Sequence, residues 1–223
     1  MIDIGIREVP KKTYLFLIIN FCIILGGGWL FAELADGVAE QEKFILDQKV
    51  RLFVSSIQSP TLDQAFSFIT ELGSVTFITI SSIVLLVAIY FMYNRYKWRI
   101  FYFAVAIIGI GLLTRVLKHV FERERPNIFE QYDGTGFSFP SGHSTGPMVF
   151  YGFLIYLVIR SRMNDALKWA LGIMLALLIF GIGFSRIYLG VHFATDVLAG
   201  HVLGLAWLIS CVLILEYTLW RKK

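Results

Sequence analysis

Ser185-Arg-Ile-Tyr-Leu-Gly-Val-His-Phe-Ala-Thr-Asp196 places a serine, an arginine, a histidine and an aspartate between two of the most apolar runs of the chain. Ionisable groups at the edge of a membrane-length apolar segment are costly to keep there and mark function. His192 and Asp196 are four residues apart. On a helix they share one face, close enough for the carboxylate to hold the imidazole. An imidazole held at one ring nitrogen has its tautomer fixed, and its other nitrogen is left to attack or to accept a proton. Arg186 adds a planar fork of donors suited to an oxyanion such as phosphate.

The apolar runs around this stretch decide the fold class. Of 223 residues, 57% are hydrophobic and 16% charged, which excludes an ordinary soluble domain. A membrane-spanning helix needs about 20 mostly apolar residues. Six segments meet that length within a few residues: Tyr14–Leu34, Val75–Tyr93, Ile100–Leu117, Ser144–Ile159, Trp169–Phe184 and Val197–Leu219. The expected fold is therefore all-α and polytopic, one domain over residues 1–223. Arg7, Lys11 and Lys12 before the first run imitate a signal peptide, but the run is long and no small-residue cleavage pattern follows Phe31. It reads as an uncleaved span. Cys22 and Cys211 lie inside apolar runs, so a disulfide framework is not expected. Gly200-xxx-Gly204, Gly181-x-Gly183 and Gly26-Gly27-Gly28 read as points of close helix packing within one bundle.

Between the first two spans, Ala35–Ser74 is the long polar connection. Its amphipathic pieces, Phe44-Ile-Leu46 and Phe66-Ser-Phe-Ile69, are separated by Ser59-Pro60. They predict short helices at the membrane surface. This arm, with Phe44, Phe53 and Phe66, either forms a lipid entrance or caps the bundle.

Orientation follows from where Lys and Arg collect. Clusters at Arg7, Lys11 and Lys12, at Arg95, Lys97 and Arg99, at Arg160, Arg162 and Lys168, and at Arg221, Lys222 and Lys223 all fall on one side of six spans. That side is expected to be cytoplasmic, with both termini. The opposite side receives 35–74, 118–143 and 185–196, so the polar loops face outward together.

The outward loops carry the rest of an anion site. Lys118 and Arg125 are seven residues apart at the outer end of the third span, about two helical turns along one face. Pro126 disfavours helix at Arg125 and sets it on a turn. Arg123 reads as a snorkelling interfacial cation. Arg115, one turn before Lys118, is expected to pair with Glu71 or Glu122 rather than to act in chemistry. In Phe139-Pro-Ser-Gly-His-Ser144, Ser141 is placed to N-cap the fourth span, and Gly142 allows close backbone approach. Amides at such a helix start bind anions. His143 then stands in the first turn, and two histidines on opposite sides of one anion suit a nucleophile and a general acid.

Lys118-x6-Arg125-Pro126, Pro140-Ser-Gly-His143 and Ser185-Arg186-x5-His192-x3-Asp196 together resemble the three-part signature of the type 2 phosphatidic acid phosphatase superfamily. Order and internal spacing match throughout. The likeness is strongest to the small bacterial membrane phosphatases of the phosphatidylglycerophosphatase B and undecaprenyl pyrophosphate phosphatase type. The resemblance implies that His192 attacks phosphorus to form a phosphohistidine, oriented by Asp196. It implies that His143 protonates the leaving oxygen and later activates water. Lys118, Arg125, Ser141, Gly142 and Arg186 would hold the phosphoryl oxygens.

The function so implied is metal-independent removal of the terminal phosphate of a lipid phosphate or diphosphate, such as phosphatidylglycerophosphate, phosphatidic acid or undecaprenyl diphosphate. It would take place at the outer face of a bacterial inner membrane. No cofactor and no nucleic-acid partner are expected, and the sequence has no Asp, Cys and His cluster at metal-ligand spacing. The alternatives are a soluble sugar phosphate as substrate or an anion transporter. A transporter needs a site at the midplane, where these spans are apolar. Oligomeric state is left open by the sequence.

Overall fold

The computed structural model describes residues 11–126 and 136–222. Arg7 and Lys223 of the expected cation clusters lie outside them. Eight helices follow in order: α1 Lys11–Ala39, α2 Ile45–Ile57, α3 Pro60–Glu71, α4 Val75–Met92, α5 Tyr96–Phe121, α6 Gly142–Arg160, α7 Asp165–Tyr188 and α8 Ala194–Arg221. Six of them, all but α2 and α3, are long and apolar enough to cross a membrane. The described residues contain no strand. The all-helical, six-span fold read from the apolar runs is the fold found.

Except for α4, the spanning helices outrun the apolar segments that announced them. Hydropathy marks the stretch that suits hydrocarbon, whereas a helix continues until its terminal amides and carbonyls find other partners. Thus α7 starts at Asp165 because the Asn164 side chain accepts a hydrogen bond from the Leu167 amide, and α4 starts behind Ser74, which accepts from Phe77. The expected starts of α5 and α7, at Ile100 and Trp169, are each four residues late.

The bundle is centred on α6 and α8, which bury the largest shares of their surfaces. Phe103, Ala106, Val149, Phe153, Ile182 and Leu215 form its dry core. Small residues let α6 and α8 approach closely. A Cβ at Gly200 would stand 2.8 Å from the Ser141 carbonyl and 2.7 Å from the Ser144 Cβ, and one at Gly204 would stand 3.0 Å from the Thr145 carbonyl. Gly200 and Gly204 therefore pack within one chain, and what they press against is the start of α6. At α7, Gly183 makes the same room for the His201 ring on α8.

The first loop folds into α2 and α3, which lie over the ends of α7 and α8. Ser59 caps α3 by accepting from Leu62, and Pro60 sits at the first helical position, where its missing N–H has no consequence. Phe66 stacks against Tyr188 at 4.4 Å, and the Tyr188 hydroxyl donates to Asp63 at 2.9 Å. Val54 buries itself beside Tyr188 and Val191.

Candidate active site

The stretch that opened the sequence reading is not one helix. α7 ends at Tyr188, and Gly190 turns the chain with φ +71°, a value that an L side chain rarely adopts. The amides of Val191 and His192 both donate back to the Arg186 carbonyl, at 3.1 and 3.2 Å. His192 thus sits on a turn rather than one helical turn below Asp196. Asp196 lies in the first turn of α8, where its Oδ2 accepts from the Phe193 amide at 2.9 Å. That capping bond folds the carboxylate back toward the turn, and Oδ2 also meets His192 Nδ1 at 3.3 Å. The pair forms through a cap, not through a shared helix face.

The imidazole tautomer follows from its other neighbour. Arg125 Nη1 lies 3.0 Å from His192 Nε2. A guanidinium can only donate, so Nε2 accepts and carries a lone pair, which leaves the ring proton on Nδ1 to be donated to Asp196. Burial pushes the imidazole well below its ordinary value of 6.5, and the charges of Arg125, Lys118 and Arg186 push it further. The contact with Asp196 is therefore a hydrogen bond from a neutral ring, not an ion pair. In substrate-free protein, the NMR titration of the His192 ring is expected to show it neutral through pH 7 and charging only well below 6.5. A midpoint at or above 6.5 would contradict this environment.

These three cations are brought toward the ring in different ways. Lys118, in the last turn of α5, donates to the Phe137 carbonyl. Arg125 lies on a turn outside α5, as Pro126 led one to expect, although the two cations do not share a helix face, because α5 stops at Phe121 and Glu122 adopts a left-handed φ of 46°. The chain leaves the helix there and brings Arg125 back over the turn, where it also donates to the Val191 and Gly136 carbonyls at 2.8 and 3.0 Å. Arg186, on α7, is almost wholly buried, and its Nη1 donates to the Thr70 hydroxyl of α3 at 2.9 Å.

Ser141 occupies the N-cap position of α6, but its side chain makes no cap bond. Its carbonyl accepts from Ser144 and Thr145 instead, and its own amide donates to the Asp196 carbonyl at 3.1 Å. The hydroxyls of Ser141 and Ser144 are buried without a hydrogen-bond partner, an unusual state for buried oxygens. The amides of Gly142 and His143 open the helix and have no intrahelical carbonyl to bond.

A cavity of about 540 Å³ runs beside these groups. Lys118, Arg125, Gly142, His143 and His192 stand in its wall, together with the apolar Val75, Ile78, Ile107 and Ile110. Ser141, Arg186 and Asp196 are brought to the same region but not to the wall: Asp196 stands behind His192, and Arg186 is sealed under α3. A second cavity of about 240 Å³, under α2, reaches His192 from the other side. Among the described residues, no group of three His, Cys, Asp or Glu is placed to hold a metal ion.

Two expectations fail here. Arg123 is no snorkelling cation, for its Nη1 donates to Asp196 Oδ1 at 2.5 Å and to the Thr195 hydroxyl at 2.7 Å, and its Nη2 to Asp47 at 2.9 Å. The Phe193 ring lies 4.1 Å from the guanidinium carbon. The desolvated Asp196 carboxylate, in the floor of the site, supplies the reason for this burial. Arg115 forms no ion pair with Glu71 or Glu122; it is exposed and stands in the wall of the larger cavity. Sequence reasoning also missed Asp47, which holds both Arg123 and the Thr195 amide and hydroxyl. Its sole trace in the sequence is an acidic residue in the first turn of an amphipathic segment.

With that geometry in place, comparison with known proteins is decisive. The model of the PAP2 superfamily matches residues 99–220, more than half of the chain. The chain belongs to the PAP2 superfamily. It is 33% identical to phosphatidylglycerophosphatase B of Bacillus subtilis over 71% of this chain and 78% of that one. It is 34% identical to an undecaprenyl-diphosphatase of Sulfolobus acidocaldarius over 48% of each chain. The crystal structure of a transmembrane PAP2 type phosphatidylglycerolphosphate phosphatase from Bacillus subtilis superposes with a TM-score of 0.77, at 28% identity, over 88% of this chain and 97% of the other. Together with the six spans, this makes the chain an integral membrane protein of the PAP2 fold. The family resemblance drawn from the three motifs holds.

Proposed function

We propose that this PAP2 protein, as one domain over residues 1–223, hydrolyses the terminal phosphate of a membrane lipid phosphate or diphosphate through a phosphohistidine, without a resident metal. The observation that carries the mechanism is the forced tautomer of His192: Arg125 and Asp196 between them leave a lone pair on Nε2. Arg125 gives up this nitrogen to bind the arriving phosphoryl oxygens. Nε2 then attacks phosphorus, the bond to the leaving oxygen breaks, and His143 delivers a proton to that oxygen. Water, losing its proton to His143, next attacks the phosphohistidine, releases inorganic phosphate and restores the imidazole. Lys118, Arg125 and Arg186, with the Ser141 hydroxyl and the Gly142 amide, neutralise the charge that grows on the phosphoryl oxygens.

Lipid rather than sugar phosphate is supported by the apolar residues Val75, Ile78, Ile107 and Ile110 in the cavity wall. The names of the two relatives point the same way, and phosphatidylglycerophosphate, undecaprenyl diphosphate and phosphatidic acid are the candidate substrates. An outward-facing site in a bacterial inner membrane, with cytoplasmic termini, is supported by the Lys and Arg clusters at the opposite ends of the spans.

Phosphate release by the purified, detergent-solubilised protein tests the proposal. The panel is phosphatidylglycerophosphate, undecaprenyl diphosphate, phosphatidic acid and glucose 6-phosphate, each in the presence of EDTA. Turnover of at least one lipid, undiminished by the chelator, is expected. Activity that collapses with EDTA and returns with magnesium, or turnover of glucose 6-phosphate alone, would overturn it.

A further inference from the structure

We propose that Arg115 binds a second phosphate on the substrate, the one on the tail side of the phosphate that is cleaved. This rests on the lipid phosphatase reading above and names the residue that selects among its substrates.

The cavity wall contributed by α5 is graded along the helix axis. Lys118 faces the same cavity as His143 and His192, where the terminal phosphoryl group is handled. Arg115 lies three residues earlier, about 4.5 Å further down the axis at 1.5 Å per residue. Gly111, Ile110 and Ile107 follow along the helix on the same wall, and Val75 and Ile78 of α4 line the same cavity. The order is cation, cation, apolar surface. A lipid whose terminal phosphate lies at Lys118 and whose tail lies along Ile107 and Ile110 must place at Arg115 whatever joins the two. In a lipid diphosphate that is the inner phosphate; in a phosphatidyl headgroup bearing a terminal phosphate it is the phosphodiester. In a lipid monophosphate it is an uncharged ester linkage.

The surroundings of Arg115 suit an external anion. It is exposed and forms no ion pair with an acidic residue among those described, although it sits on a membrane-spanning helix, where an arginine is otherwise expensive. The neighbouring Gly111 leaves open space: a Cβ there would meet nothing within 4 Å. The planar guanidinium also matches two phosphate oxygens at once. The competing role, a side chain reaching up to bilayer headgroups, would give Arg115 no influence on which substrate is chosen.

The experiment compares kcat/KM for lipids that share a tail and differ in phosphate count. Dioleoyl phosphatidylglycerophosphate is paired with dioleoyl phosphatidic acid, and farnesyl diphosphate with farnesyl monophosphate, for the full-length protein and its Arg115→Ala variant. Wild type is expected to favour the two-phosphate member. Arg115→Ala should lower the two-phosphate to one-phosphate ratio about tenfold or more, the scale of one lost charge-assisted hydrogen-bond pair. The pair in which the ratio falls identifies whether the second phosphate is directly linked or a phosphodiester. A ratio unchanged in both pairs overturns the assignment, whether both rates fall together or neither does. Wild-type turnover confined to the monophosphates also overturns it while leaving the phosphatase reading intact. If no lipid phosphate is turned over, the phosphatase reading fails first, and the assignment to Arg115 fails with it.

Discussion

Replacing His192 with alanine is expected to lower lipid phosphate hydrolysis about 10,000-fold or more, the scale seen when a covalent nucleophile is removed. The structure equips the ring with a lone pair on the cavity side: Arg125 donates to Nε2, and Asp196 accepts the hydrogen bond of Nδ1. The substitution leaves the turn standing, because Gly190 supplies its positive φ and the amides of residues 191 and 192 close it onto the Arg186 carbonyl. Binding should therefore survive while turnover is lost, which product-release assays and a substrate-binding measurement separate. Labelling with a denaturing quench at alkaline pH adds a direct readout. With substrate labelled in its terminal phosphate, wild type should carry a base-stable, acid-labile label on protein, and His192→Ala should carry none. Turnover within tenfold of wild type in the variant would sink the nucleophile assignment.

The part of this site that was legible in the sequence is the part built from short-range order. Runs of apolar residues of membrane length have few competing explanations, so the six spans could be read before any motif. Lys118, Arg125, Ser141, Gly142, His143, Arg186, His192 and Asp196 stand in three tight clusters whose order and spacing are specific as a set. Their local conformations were less legible. The four-residue spacing of His192 and Asp196 predicts the correct contact for the wrong reason, since Gly190 ends α7 between Arg186 and His192 and the carboxylate reaches the ring by capping Phe193. The turn at Arg125 was legible from Pro126, whereas the left-handed Glu122 that ends α5 four residues before Pro126 was not.

What the sequence hid are partners separated by long stretches of chain. Asp47 contacts Thr195 across 148 residues, and Arg186 contacts Thr70 across 116. No periodicity links such pairs; the packing of α2 and α3 onto the ends of α7 and α8 creates them. Arg123 shows the consequence. Beside an interfacial helix end it has the sequence context of a cation reaching for headgroups, and a folded bundle is needed to place a desolvated carboxylate under it.

That carboxylate makes Arg123→Ala the second substitution with a large expected effect. Asp196 is wholly buried, and Arg123 meets its Oδ1 at 2.5 Å while bridging to Asp47. Removing one partner of a buried pair leaves an uncompensated charge, at a cost of about 3–5 kcal/mol. An exposed interfacial arginine would cost about 0–1 kcal/mol. Thermal unfolding in detergent distinguishes the two. The uncompensated Asp196 is expected to take up a proton, and its hold on the His192 Nδ1 proton then weakens, so turnover should fall about 10- to 100-fold, as on loss of other outer-shell partners. The double variant Arg123→Ala with Asp196→Asn supplies the internal control. An amide in place of the carboxylate removes the stranded charge, so the double variant should be more stable than Arg123→Ala alone, although it stays poorly active because the imidazole has lost its carboxylate. If Arg123→Ala and the double variant unfold alike, within about 0.5 kcal/mol of wild type, the charge under α8 is not what Arg123 is there to hold.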